Sequence, residues 1–224
     1  MHDNKEKIVF LDFCGTCVPF QSADKFVYFT ISHYATPVVR FRSLALKVLN
    51  KLHLVRRIER WTHRKVTSKS LILNQIKGLD ERVVKEAAKR YFDEIIKPSL
   101  IPETMSEIGK RQKEGYRIVI VSGGYDVYLR YFMDYIGGKQ DDVLSTPLLF
   151  ENGLFTGKMG RDCISENKIT YINEHLNTDN IYSVVYSDSI TDAPLMKLAN
   201  KVYLVTWIPE ELRHQSVSAM YYYE

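Results

Sequence analysis

Short apolar runs, each closed by turn-forming residues, divide this chain into strand-like and helical stretches. Residues 7–13 (KIVFLDF), 116–121 (YRIVIV), 181–186 and 202–206 are rich in β-branched and aromatic residues, the pattern of strands buried on both faces. Gly15 follows the first run and lets the chain turn sharply. Between the first and second runs no strand pattern survives. Ala23, Phe26, Val27, Thr30, Ile31 and Tyr34 recur at helical spacing before a break at Pro37. Leu44, Val48, Leu49 and Leu52 share a face in a second helical stretch over 38–58. The clearest amphipathic helix is 80–97, DERVVKEAAKRYFDEIIK, with Val83, Val84, Ala87, Tyr91, Phe92, Ile95 and Ile96 on its apolar stripe; Pro98 and Pro102 end it.

Beyond Pro102 helices and strands alternate. Residues 103–114 form a short helix stopped by Gly115, and 125–136 read as another. Leu148–Phe150 and Leu154–Thr156 flank Asn152-Gly153, a dipeptide favoured in tight hairpin turns. This alternation predicts an α/β fold, a mostly parallel sheet with both faces covered. The expected organisation is a core built from residues 1–18 and 103–224, interrupted by an all-helical cap over 19–102.

Composition narrows the class. A chain of 224 residues allows one large domain or a domain with a sizeable insertion. Hydrophobic residues at 45% and charged residues at 26% exclude disordered, collagen-like and coiled-coil chains. No apolar run approaches the ~18 residues of a membrane span, and the first residues lack the apolar stretch of a secretory signal. Three cysteines are too few for a disulfide framework, so a reducing cytoplasmic setting is expected. The net charge of +4 is compatible with an anionic ligand. No nucleic-acid-binding signature accompanies it, so neither nucleic acid nor membrane is expected as a partner.

In an open α/β sheet, ligands gather outside the carboxyl ends of the strands. Asp12-Phe13-Cys14-Gly15-Thr16 stands there after the first strand and Ser122-Gly123-Gly124 after the second. Ser187-Asp188-Ser189-Ile190-Thr191-Asp192 follows the third, and Lys168 lies between the hairpin and that strand. Carboxylate oxygens select hard cations such as Mg²⁺. A hydroxyl, the backbone N–H groups after Ser122 and a lysine suit a phosphoryl group. The combination points to phosphoryl transfer.

These motifs resemble those of the haloacid dehalogenase-like superfamily, in particular its phosphoserine phosphatase-like branch. Asp12, Gly15 and Thr16 match the family's Asp-x-Asp-Gly-Thr; Ser122 matches its strand-ending Ser or Thr; Lys168 matches its third-motif lysine. SDSITDAPLM matches Gly-Asp-Ser-x-x-Asp-x-Pro, and LLFENGLFTGKMGRDCISENK follows the branch's order of hairpin, Thr-Gly, Cys and lysine. The resemblance implies a Rossmann-like core with an inserted helical cap, and a phosphatase acting on a small phosphorylated metabolite. It further implies that Asp12 attacks phosphorus to form an aspartyl-phosphate. A Mg²⁺ cofactor would be held by Asp12, the Cys14 carbonyl and Asp188, with Asp192 nearby or acting through water. Ser122 and Lys168 would hold the phosphoryl oxygens, and Gly15 and Thr16 would shape the turn. Thr16, Gln21, Gly123 and Arg56 are the candidate substrate contacts.

The sequence departs from that family at three positions. Cys14 stands where its phosphatases carry an Asp that protonates the leaving oxygen and activates water, help typically worth ~10²–10⁴ in rate. Gln21 replaces a Glu able to bind a substrate ammonium, which favours a sugar, polyol or similar phosphate over phosphoserine. Ser187 replaces a Gly. The expected activity is therefore Mg²⁺-dependent hydrolysis of a small phosphate monoester. The alternatives are phosphotransfer to an alcohol, or an impaired phosphate-binding or regulatory protein. Cys14 and Cys17 also have the spacing of a redox pair, although Cys17 is expected to be packed. Arg56, Arg57, Arg60, Arg64 and Lys65 form a basic run that reads as a solvated cap face or an anion-binding lip.

Overall fold

The computed structural model describes residues 5–35, 68–205 and 220–223. The central sheet has the strand order β3–β2–β1–β6–β7–β8. Strands β1 (Glu6–Leu11), β2 (Arg117–Tyr125), β3 (Val143–Thr146), β6 (Ile181–Ser187) and β7 (Lys201–Val205) run parallel. β8 (Met220–Tyr223) closes one edge antiparallel to β7. A separate hairpin pairs β4 (Leu148–Glu151) with β5 (Leu154–Met159) through Asn152 and Gly153, both at positive φ.

The strands are continuous apolar runs because both faces are covered. Val9, Leu11, Ile118, Ile120 and Val184 pack on one side, against α1 (Ser22–Tyr34), α3 (Glu81–Tyr91), α4 (Pro102–Lys113) and α5 (Asp126–Tyr135). Their alternates Ile8, Phe10, Val119, Val121 and Val185 face the other side, with Ile172 of α6 (Glu166–His175) and Leu195 of α7 (Ala193–Lys197). An aromatic group of Phe26, Tyr91, Tyr125 and Tyr128 locks α1 and α3 onto the sheet, with Phe26–Tyr128 and Tyr91–Tyr128 centroids 5.3 and 5.4 Å apart.

The described part of the insertion between β1 and β2 is helical: α1, the short α2 (Ser68–Leu73) and α3. Asp80 caps α3 by accepting from the Arg82 N–H at 2.7 Å. The helix expected over 80–97 is α3 continued by a π-turn (Phe92–Ile96) and a short 3₁₀ turn (Lys97–Ser99). The hairpin is stitched to this block through the main chain. Gly78 donates to Phe155 O, Phe155 to Leu79 O, and Glu81 to Gly153 O, each at 2.8 Å.

Two strands, β3 and β8, and the helices α2, α6 and α7 have no counterpart in the sequence pattern. β2 also extends past Val121 through Ser122-Gly123-Gly124 to Tyr125. The helical stretch expected over 38–58 and the basic run that includes Arg56 lie outside the described residues. Among the described residues no helix is long and apolar enough to cross a membrane.

Candidate active site

The carboxyl ends of β1, β2 and β6 and the first turn of α6 meet at one edge of the sheet. Asp12 is the first residue beyond β1, and its N–H donates to Tyr186 O of β6 at 3.0 Å, which carries the β1–β6 pairing one residue past the strand and fixes the Asp12 backbone. Lys168 reaches the same point from α6 and donates to Asp12 Oδ1 at 2.8 Å and to Asp192 Oδ2 at 2.7 Å. Asp192 Oδ2 also accepts from Ser187 Oγ at 2.8 Å, so the serine that replaces the expected glycine orients a site carboxylate. Ser122 is buried at the carboxyl side of β2, its Oγ accepting from the Gly124 N–H at 3.2 Å; the hydroxyl proton is left to donate outward. These groups line a cleft of about 410 Å³ together with Gly123, Cys14, Gln21 and Asp188.

Charge in this cleft is crowded. Burial, with Asp192 and Asp188 adding to it, pushes the Asp12 carboxyl up to about 6 despite the neighbouring lysine. Asp188 is also raised, chiefly by burial. Burial opposes the charged form of Lys168, but Asp12 and Asp192 outweigh it and hold the ammonium above its ordinary value. Lys168 is thus a permanent cation between two carboxylates.

Cys14 is half-buried, and its thiol is turned toward the start of α1. Its Sγ accepts from the Ser22 N–H at 3.3 Å and lies 3.1 Å from Ser22 Oγ, which in turn lies 2.6 Å from the Tyr128 hydroxyl. Burial and the Asp12 charge push the thiol up to about 11, so it stays neutral at ordinary pH. The Cys17 thiol is fully buried and points elsewhere, donating to Asp12 O at 3.5 Å. Both thiols are free, which leaves Cys17 as a packed residue of the turn after Asp12.

Thr16 does not reach the cleft wall as a substrate contact would. It is fully buried; its Oγ1 lies 3.4 Å from Asp188 Oδ1 and its carbonyl accepts from Thr104 Oγ1 at 2.7 Å, so it positions the turn and Asp188. Gln21 is exposed on the cleft rim. The cleft is also lined by Asp24, Lys69, Asp162 and Ser165, none of which the motif reading singles out. Asp24 and Lys69 belong to helices whose polar positions carry no motif. Ser165 had a local signal only in its place three residues before Lys168.

The donor chemistry fits a hard divalent cation. Asp12 and Asp188 offer carboxylate oxygens and Cys14 a main-chain carbonyl. Among the described residues no three acidic, histidine or cysteine side chains are grouped to hold an ion by themselves. Gly15 supports this arrangement. It sits at φ +80°, and a Cβ there would overlap the Asp188 carboxylate, so only glycine lets that group close over the turn.

A parallel α/β sheet that gathers a lysine-bridged carboxylate pair, a strand-end serine and a third carboxylate at its carboxyl edge has the layout of a phosphoryl-handling hydrolase scaffold. The family model of haloacid dehalogenase-like hydrolases matches residues 9–197, and the chain belongs to that family. A probable phosphatase of Mycobacterium tuberculosis is 24% identical over 129 residues, which are 56% of this chain and 44% of that protein. The match thus spans under half the length of that relative. Among solved structures, a Bordetella pertussis protein of unknown function superposes with a TM-score of 0.70 at 17% identity, over 89% of each chain. A phosphoserine phosphohydrolase-like protein of Francisella tularensis gives 0.56 at 14% identity, over 88% of this chain and 85% of that one. A phospho-aspartyl intermediate analogue of phosphoserine phosphatase gives 0.51 at 18%, over 89% and 86%. These likenesses establish the fold, a Rossmann-like core with a helical insertion.

Proposed function

We propose that this protein is a Mg²⁺-dependent phosphatase that transfers the phosphoryl group of a small hydroxylated phosphate monoester to Asp12 and then to water. The observation that carries this reading is the Asp12–Lys168–Asp192 array beside Ser122. A carboxylate held in place by a buried lysine is ready to attack, and the same lysine with the Ser122 hydroxyl and the Gly123 N–H can offset charge growing on the phosphoryl oxygens. Asp12, Asp188 and the Cys14 carbonyl would hold the Mg²⁺, which supplies charge neutralisation at the transferring phosphoryl group when bound. Lys168 orients Asp12 through Oδ1, and Ser187 fixes Asp192 so that it holds the far side of the lysine. The insertion between β1 and β2, of which the described part is the helices α1, α2 and α3, would serve as the cap that excludes water and selects the leaving group.

The test is phosphate release from p-nitrophenyl phosphate with Mg²⁺. Activity is expected to vanish with EDTA and in Asp12→Asn; turnover that persists in Asp12→Asn refutes the nucleophile. A second reading, transfer to an acceptor alcohol, is favoured by one feature: the thiol of Cys14 is engaged by Ser22 where a carboxyl would activate water. Added alcohols would then yield new phosphate esters at the expense of inorganic phosphate.

A further inference from the structure

The cleft has a second polar cluster that the phosphoryl chemistry does not use. Lys69 of α2 donates to Asp162 Oδ1 at 2.7 Å and to Gly123 O at 2.9 Å. Asp162 Oδ1 also accepts from Thr146 Oγ1 at 2.8 Å, and Thr146 Oγ1 accepts from the Cys163 N–H at 3.0 Å. Lys69 is therefore fixed, with one of its three N–H donors uncommitted in this set. Asp24, in the first turn of α1, lines the same cleft half-buried and has no hydrogen-bond or ion-pair partner among the described residues. Tyr125 backs this wall, fully buried, with its ring centroid 5.3 Å from Lys69 Nζ and its hydroxyl without a hydrogen-bond partner among the described residues. Asp24 and the spare donor of Lys69 thus stand on one cleft wall, close enough for the Lys69 charge to favour the Asp24 carboxylate, and together they mark a place for a ligand that can bond to both.

The chemistry of that ligand follows from what each group accepts. A carboxylate or second phosphate on the substrate would meet Asp24 and Asp162, in a cleft already lined by five aspartates (Asp12, Asp24, Asp162, Asp188, Asp192) against two lysines (Lys69, Lys168). An ammonium would meet Lys69. A hydroxyl satisfies both, donating to Asp24 while accepting from Lys69. We propose that Asp24 and Lys69, the latter held by Asp162, form a subsite for the hydroxyl groups of the leaving group, which makes polyol and sugar phosphates the substrate class. The assignment rests on the phosphatase reading of Asp12 and adds the residues that choose the alcohol. A pocket built to bind hydroxyls rejects analogues that lack them by large factors, because its own polar groups are then left unpaired.

The experiment compares wild type and Asp24→Asn, which keeps the side-chain shape. The probes are glucose 6-phosphate, glycerol 3-phosphate, phosphoethanolamine, 3-phosphoglycerate and p-nitrophenyl phosphate, all with Mg²⁺. Wild type is expected to favour the first two over the ammonium and carboxylate esters. Asp24→Asn is expected to lower their kcat/KM relative to the aryl ester by tenfold or more. An equal change on the aryl and hydroxylated esters overturns the subsite. So does a wild-type preference for phosphoethanolamine that Asp24→Asn abolishes, since Asp24 would then read a cation. If wild type turns over no ester at all, the phosphatase reading fails separately, and calorimetric titration with glucose 6-phosphate decides the subsite. Binding at least tenfold weaker in Asp24→Asn supports it; equal binding, or none to wild type, overturns it.

Discussion

Replacing Lys168 with methionine tests how much of the fold depends on the site's central cation. The lysine is almost fully buried and bonds two buried carboxylates, at 2.8 Å to Asp12 and 2.7 Å to Asp192. Its removal leaves both acids without a counter-charge, and breaking a buried pair in this way costs about 3–5 kcal/mol. The cost depends on pH. With the lysine present, the Asp12 carboxyl already sits at about 6 against an ordinary value of 3.8. That preference for the protonated form favours the fold by about 3 kcal/mol in acid. The contribution is full below about pH 4 and is lost as the pH rises through about 6. Without Lys168 the carboxyl moves higher still, so Asp12 enters the variant's fold protonated at pH 5 and charged only at greater cost at pH 8. Urea unfolding in EDTA, followed by circular dichroism, should show Lys168→Met losing about 3–5 kcal/mol at pH 8 and clearly less at pH 5. A loss below about 1 kcal/mol at pH 8, or the same loss at both values, would refute the electrostatic account.

Two further substitutions probe the turn residues. Cys14→Asp places a carboxyl where the neutral thiol stands. Inorganic phosphate release should accelerate by ~10²–10⁴ if water activation limits turnover, and a steady-state rate that does not rise shows another step to be limiting. Ser165 precedes α6 at φ 47° and ψ −127°, a conformation suited to glycine, and its side chain makes no capping bond. Relief of about 1–3 kcal/mol of strain, less about 1 kcal/mol for the added freedom of glycine, makes Ser165→Gly stabilising by about 1 kcal/mol. The check is a higher urea midpoint at unchanged slope; an unaltered or lower midpoint counts against strain at this residue.

Most of the sheet, and the meeting of Asp12, Lys168 and Asp192 at its carboxyl edge, were legible in the sequence because each depends on local signals. The buried strands β1, β2, β6 and β7 are continuous apolar runs, and each candidate group stands at a strand end or in a motif of fixed spacing. β3 escaped notice because its four residues, Val143–Thr146, finish on Ser145 and Thr146, which are polar yet buried. β8 is a run of tyrosines after Met220 and becomes a strand only by pairing antiparallel with β7. α6 carries the key lysine but begins on a strained serine without a capping side chain, so its start gives no sequence cue. Asp24 and Lys69 belong to the site only through the packing of α1 and α2 over the strand ends, a long-range arrangement that no spacing rule encodes. Thr16 shows the converse: a motif position read as a substrate contact whose hydroxyl is spent within the protein.

The three main-chain bonds between the hairpin and residues 78–81 have a mechanical corollary. Leu79 and Glu81 are tethered to the tip and far strand of the hairpin, while the chain leaving that strand runs directly into Asp162 and then to Lys168. The helical block is therefore geared to the loop that supports the lysine. Lifting it away from the sheet would pull on β5, and a shift of the cleft wall that carries Lys69 and Asp162 would be passed to Lys168 as a tug along the polypeptide.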